Sequence, residues 1–186
     1  MQLPLLISLI SSDIHCESEL PRGYMNIRLI TEEDVPDFVG CYLEVWRSLK
    51  GVLPDIYVDD QIQRATSQEF RSRIIDEASS PASLLLAATM QDETVGLAWG
   101  NLREDGSTWL TFLGVKPGHR RRGLGRSLLA RFIEESRSRG SDKVSLDTDP
   151  RLSPAVRLYE GMGFIAEGTV ENQYGLQLVV YSLETA

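Results

Sequence analysis

The sequence runs to 186 residues, 42% of them hydrophobic and 25% charged, with a formal net charge of −8. That length suits one domain with a full core, and no apolar run approaches the roughly 20 residues that cross a bilayer. Cys16 and Cys41 make no disulfide or metal framework, and His15 and His119 are the only histidines, so no zinc set is expected and a reducing, cytoplasmic setting is.

In chain order, LPLLISLI (3–10) has neither the basic flank nor the small-residue cleavage pattern of a signal peptide. Residues 1–24 read as a flexible N-terminal extension, and the domain is expected over 25–186, with Met25 at its start. NIRLI (26–30) predicts a first strand. Thr31 is placed to cap a helix, with Asp34 in the capping-box position, and Val35, Phe38, Val39, Tyr42 and Trp46 recur at helical spacing. KGVLPD (50–55) breaks that helix, and a second is expected over about 60–78.

SLLLAATM (83–90), TVGLAWGNLR (94–103) and STWLTFLGV (107–115) predict an antiparallel meander with turns at QDE and REDG. A helix follows, with Leu124, Leu128, Leu129, Phe132 and Ile133 on one face and Gly140 at its end. KVSLDT (143–148) predicts a strand and SPAVRLYEGMG (153–163) a helix with Pro154 in its first turn. FIAEGTV and LQLVVYSL close the sheet. The order β-α-α-β-β-β-α-β-α-β-β predicts an α/β (α+β) domain, with a mixed, mostly antiparallel sheet and helices on both faces.

Charge is unevenly spread. Between Lys116 and Lys143 nine Lys/Arg stand against three Asp/Glu, a local +6 beside a remainder of −14. A basic segment on an acidic body indicates a bound anion; a nucleic-acid coat needs a basic whole with interleaved aromatics, so no nucleic-acid partner is expected, nor a membrane. The segment is centred on HRRRGLGRSLL (119–129), a strand running into a glycine turn and then a helix. Such a helix start offers unpaired N–H groups and the positive end of a dipole to a phosphate. Gly123 and Gly125 allow close approach, and Arg120, Arg121, Arg122 and Arg126 add countercharge. The P-loop pattern is absent, and a dinucleotide fingerprint would need glycine where Leu128 stands.

VKPGHRRRGLGRSLL resembles the acetyl-CoA signature of the GNAT family of N-acetyltransferases: an apolar strand end, a Pro-containing turn, then [RQ]-x-x-G-x-[GA] opening a helix. Arg120, Gly123 and Gly125 occupy the defining positions. SPAVRLYEGMGF resembles the family's later helix and strand start, through Ala155, Leu158, Tyr159, Gly163 and Phe164. The likeness covers about 25–186 and implies an acyl-CoA N-acyltransferase fold, splayed between its fourth and fifth strands, with acetyl-CoA as co-substrate and no metal.

What the resemblance implies for single residues is specific. The backbone of Leu113, Gly114 and Val115 would pair with the pantetheine like an added strand, while their side chains pack the core. The amides of Arg121, Arg122, Gly123, Leu124, Gly125 and Arg126 would wrap the pyrophosphate, and Arg120, Arg121 and Arg122 have the 3′-phosphate as another target. Tyr159 matches the family's general acid for the departing thiolate, or else packs its ring in the core. Asp147 stands where some relatives carry a basic Glu; Asp149, another group or bulk water are the alternatives. Leu152 replaces an Asn that bonds the pantetheine in many relatives, and Ser153 next to it is the substitute contact.

The implied acceptor is an amine, and a small, polyamine-like one is expected. Residues 26–79 hold eleven acidic and six basic residues, and 160–186 four Glu with no Lys or Arg. Such walls would attract a cation, unless they are solubilising surface. VWRSLKGVLPDIYVDD (45–60) faintly resembles a subgroup that includes polyamine acetylators, with Trp46, Leu53, Pro54 and Tyr57 lining an acceptor pocket or packing a helix corner. Two other readings stay open: acetylation of a protein N-terminus or lysine, and a non-catalytic acyl-CoA sensor. A homodimer is the family's expectation.

Overall fold

The computed structural model describes residues 25–185; the expected N-terminal extension, with His15 and Cys16, lies outside them. Strand β1 (Met25–Leu29) leads into a short 3-10 turn, in which Asp34 accepts from the Thr31 backbone N–H at 2.8 Å and hydroxyl at 3.0 Å. Arg28 grips the same carboxylate with two bonds of 2.7 and 2.6 Å and holds it well below the usual carboxylate range. The expected cap is therefore also a strand-to-helix clasp. Helix α1 (Val35–Arg47) follows with Pro36 in its first turn and buries Val35, Phe38, Val39, Tyr42 and Trp46.

The helix expected over 60–78 is two helices. Helix α2 (Asp55–Ala65) starts right after Pro54, and helix α3 (Gln68–Ala78) starts anew after Ser67. The break has a local cause: the Thr66 hydroxyl folds back onto the Gln63 carbonyl at 2.7 Å, and Ser67, in extended backbone, accepts from the Phe70 N–H at 3.1 Å. Ser and Thr favour such side-chain-to-backbone bonds at caps over helix interiors.

The meander is β2 (Ser83–Met90), β3 (Glu93–Leu102) and β4 (Thr108–Val115), and β1 pairs antiparallel with β2. Helix α4 (Leu124–Ser138), β5 (Lys143–Thr148), α5 (Ser153–Glu160), β6 (Ile165–Glu171) and β7 (Gln177–Glu184) complete the fold. Helix α5 ends three residues short of expectation because the chain turns at Gly161–Gly163, where the Phe164 N–H donates back to the Tyr159 carbonyl at 3.1 Å.

The described strands form one sheet in the order β1-β2-β3-β4-β5-β7-β6, antiparallel except for β4 beside β5. Helices α1 to α3 cover one face around Phe38, Trp46 and Trp99; α4 and α5 cover the other around Leu128, Leu129, Phe132 and Tyr159. Coverage on both faces explains why SLLLAATM is apolar at successive positions. Among the described residues no helix is long and apolar enough to cross a membrane.

One irregularity positions the site. Trp99 pairs with Phe112 but Gly100 pairs with Leu110, so Thr111 is an extra residue in β4. Such a bulge bends its strand. Beyond that same Leu110, β4 has no partner in β5: the parallel pairing covers Thr108–Leu110 against Val144–Leu146 and stops.

Replacing the α3 cap tests the helix break. Ser67→Ala should lower unfolding free energy by about 1 kcal/mol and Ser67→Gly by only a few tenths, read by urea titration.

Candidate active site

Where β4 and β5 part, a cleft of about 270 Å³ opens through the sheet. One wall is Leu110–Val115, the other Asp147–Asp149 with Leu152, Pro154, Ala155 and Tyr159. Leu113, Gly114 and Val115 all line it, as the sequence implied. Gly114 is required there: a Cβ would meet Phe112 Cζ at 2.7 Å and Val45 Cγ1 at 2.8 Å. Ser153 is exposed and is not among the described residues lining the cleft, whereas Leu152 is.

Gly123 precedes α4 in the left-handed region, at φ 81°. The first helical bond to it comes from the Ser127 N–H, so the N–H groups of Leu124, Gly125 and Arg126 find no acceptor among the described residues. They form an anion-seeking helix start beside the cleft mouth. Gly125 leaves this start open, with a built Cβ meeting only Leu158 Cδ2 at 3.4 Å. The arginines divide. Arg120 turns back, its Nε donating to the Val115 carbonyl at 2.9 Å and its Nη2 to Ser48 Oγ at 2.5 Å. Arg126 donates to the Gly161 carbonyl at 3.2 Å. Arg121 and Arg122 are exposed and have no partner among the described residues. The loop's free cations are therefore Arg121 and Arg122, while Arg120 and Arg126 brace the scaffold around it.

Tyr159 rises into the cleft from α5, and its side chain is 6% exposed. Burial, with the Asp147 charge adding to it, pushes its phenol above the ordinary value of 10.0, so it stays protonated and can act as a proton donor. Asp147 lies on the other side of β5: Val144 and Leu146 face α4 and α5 with Tyr159, and Asp147 alternates away from them. Asp147 is open to the cleft yet flanked by protein, and this loss of water raises its pKa, opposed by the Arg103 charge. It has no hydrogen bond or ion pair among the described residues. Asp149 differs. Arg151 holds both its oxygens, at 2.8 and 2.5 Å, and keeps it below the usual range, so it is a charged anchor more than a base.

A third wall of the cleft comes from α1, the loop after it and α2. Tyr57 stacks edge-on against Trp46 at 5.3 Å and tilts against Tyr174 at 4.9 Å. Trp46, Leu53 and Tyr57 line the cleft, as the sequence allowed; Pro54 is not among the described lining residues. Tyr174, from the β6–β7 turn, donates its hydroxyl to Asp60, which Arg64 also pairs at 2.6 Å. Sequence reading missed Tyr174, Phe112, Leu178 and Ser48, since each acts through a neighbour distant along the chain. The acids expected to form cation-attracting walls are in part paired. Asp34, Asp59, Asp60 and Glu77 are paired with Arg28, Lys50, Arg64 and Arg73, and Glu44 and Glu93 share Lys116. Among the described residues no cluster could hold a metal ion.

Comparison with known proteins follows this geometry. The acetyltransferase (GNAT) family model matches residues 38–164, both sides of the cleft included. The chain belongs to the GNAT acetyltransferase family. This GNAT chain is 33% identical over 158 residues to the mycothiol acetyltransferase of Clavibacter michiganensis subsp. michiganensis, covering 85% of the chain and 47% of that relative. It is 30% identical over 159 residues to the mycothiol acetyltransferase of Clavibacter sepedonicus, covering 85% and 48%. The chain thus spans about half the length of these curated relatives. The PaiA N-acetyltransferase of Thermoplasma acidophilum, solved in complex with coenzyme A, has the same fold, with TM-score 0.75 at 18% identity over 87% of this chain and 99% of that one. The splayed GNAT sheet expected from the motifs is the sheet observed.

The buried phenols of this GNAT chain predict a one-sided pH dependence. Tyr42 and Tyr57 are both pushed from 10.0 up to about 12, mainly by burial. A folded-state pKa above the unfolded value gives stability that is complete below pH 10.0 and is lost as pH rises through about 12. Urea unfolding at stepped alkaline pH should show that decline, and phenolate absorbance of the folded protein should lag behind that of the unfolded chain.

Proposed function

We propose that this chain is an acetyl-CoA-dependent N-acetyltransferase that passes acetyl directly to a primary amine in a ternary complex. The observation that carries this reading is the placing of a protonated phenol, Tyr159, and an unpaired carboxylate, Asp147, on opposite faces of β5 in one cleft. The free edge of β4 suits the pantetheine amides, and the open N–H groups of α4 with Arg121 and Arg122 suit the pyrophosphate. When bound, acetyl-CoA supplies the thioester carbonyl to be attacked.

The chain's own groups then manage protons and position. A primary amine arrives largely as ammonium, since such groups have a pKa near ~10. Asp147 takes its proton, and the freed nitrogen pair attacks the carbonyl carbon. A C–N bond forms, the C–S bond breaks, Tyr159 gives its proton to the departing sulfur, and the second proton lost by the nitrogen passes through water to restore the phenol. Leu113 to Val115 would hold the thioester arm in the cleft that Asp147 also lines. No covalent enzyme intermediate is required, and the buried Cys41, whose thiol is pushed up to about 12 by burial, takes no part.

Thiol release with acetyl-CoA and a panel of amines tests the reading. Tyr159→Phe should lower kcat by at most about 100-fold, because a thiol of pKa near ~8.5 already leaves tolerably. Asp147→Asn should cost about 100-fold or more and remove the acidic limb of the pH profile. Gly125→Glu should abolish acetyl-CoA binding, measured by calorimetry, by placing a carboxylate where the pyrophosphate would lie. Full turnover in Asp147→Asn and Tyr159→Phe would overturn the roles assigned here.

A further inference from the structure

We propose, building on the amine-transfer reading above, that the acceptor is a primary amine with one positive charge and an apolar group beside it, and not a polyamine. Three observations lead there.

The first is how few negative charges the cleft offers. Among the described lining residues the carboxylates are Asp147 and Asp149. Arg151 neutralises Asp149 with a two-point contact, while Asp147 feels the Arg103 charge but has no ion pair among the described residues. One ammonium can therefore be met by a carboxylate, and that carboxylate is the one placed to take its proton.

The second is the state of the surrounding acids. Of the carboxylates on α1 to α3, Asp59 holds Lys50 at 2.6 Å, Asp60 holds Arg64 at 2.6 Å and Glu77 holds Arg73 at 2.7 Å, while Asp37, Asp55, Glu69 and Asp76 have no ion pair among the described residues but do not line the cleft. Seating the second and third charges of a polyamine here would strip their water without a counterion, which is strongly unfavourable.

The third is the wall itself. Tyr57 presents a half-buried ring to the cleft, and it is fixed from both sides, by Trp46 on α1 and by Tyr174 from the β6–β7 turn. The hydroxyl of Tyr174 is tied to Asp60, so the turn is fastened to α2 and the ring pair is held in place. With Phe112, Leu53 and Leu178 next to it, this wall offers apolar surface to whatever lies beside the amine. Burial of an apolar substituent is favourable here, and an oligomethylene chain broken by charges cannot use it.

The chemistry is shared by a free small amine and by a peptide that begins with an apolar residue. The test is equilibrium titration of the CoA-saturated protein with 2-phenylethylamine, leucinamide, a leucyl tripeptide amide and spermidine. At least one of the first three should bind about 10-fold tighter than spermidine or more. Leucinamide against the tripeptide tells which source the cleft admits, and either supports the class. Tyr57→Ala should bring the preferred amine to near parity with spermidine, while Tyr57→Phe, which keeps the ring, retains the preference. Spermidine binding as tightly as the three monoamines in the native protein would overturn the proposal. So would a preference that survives Tyr57→Ala with an unchanged circular dichroism spectrum. The titration reads binding alone, so a preference seen without turnover would support the acceptor class and overturn the transfer reading.

Discussion

Three residue pairs hold the two halves of this protein's sheet together. Thr108–Leu110 lies parallel to Val144–Leu146, and everything that gives the molecule a site depends on that contact being so short. Were it longer, β4 would close its edge against β5 and no cleft would exist. The extra residue at Thr111 ends it by bending β4 away. Gly114 then lets the bent strand pass Val45 and Phe112 with no side chain in the way. The free edge of β4, the open start of α4 and the two faces of β5 all meet at the resulting gap.

Charge in this protein works through partners more than through a broad field. An excess of acids on α1 to α3 invites the idea of a cation-attracting wall, but Asp59, Asp60 and Glu77 are each taken up by a local cation and none of the helices' carboxylates lines the cleft. The basic segment divides as well. Arg120 and Arg126 use their guanidinium groups on two backbone carbonyls and the Ser48 hydroxyl, where they tie the loop before α4 to β4, to the end of α1 and to the end of α5. That leaves Arg121 and Arg122 exposed and without a partner among the described residues, and the open backbone N–H groups of α4 as the fixed part of the proposed anion site. A neutralised acid adds little potential at a distance, so Asp147 is the carboxylate of the cleft lining that keeps its charge without an ion pair among the described residues.

Much of the fold was legible because its signals are local. Helical spacing from Val35 to Trp46 and the meander from Ser83 to Val115 were visible, and so was the glycine turn at 123–125, since periodicity and φ requirements act over a few residues. The missed break at Thr66–Ser67 was local too, and a Ser followed by Phe70's turn was its signal. The roles of Tyr159 and Asp147 came from family likeness, and the alternation of β5 explains why they face opposite sides. Ser153, expected to stand in for a missing pantetheine contact, is exposed next to Leu152, which lines the cleft.

The sequence by itself determined most of the elements, their order, the glycine turn before α4 and the family, because each of these rests on neighbours within a turn or strand. Only the tertiary structure decided which charges are free and what the acceptor meets. Tyr174 and Asp60 are 114 residues apart and Arg120 and Ser48 are 72 apart, so no local pattern announces either contact. A carboxylate's availability depends on whether a distant arginine reaches it, and that is fixed only when the sheet brings the two ends of the chain together.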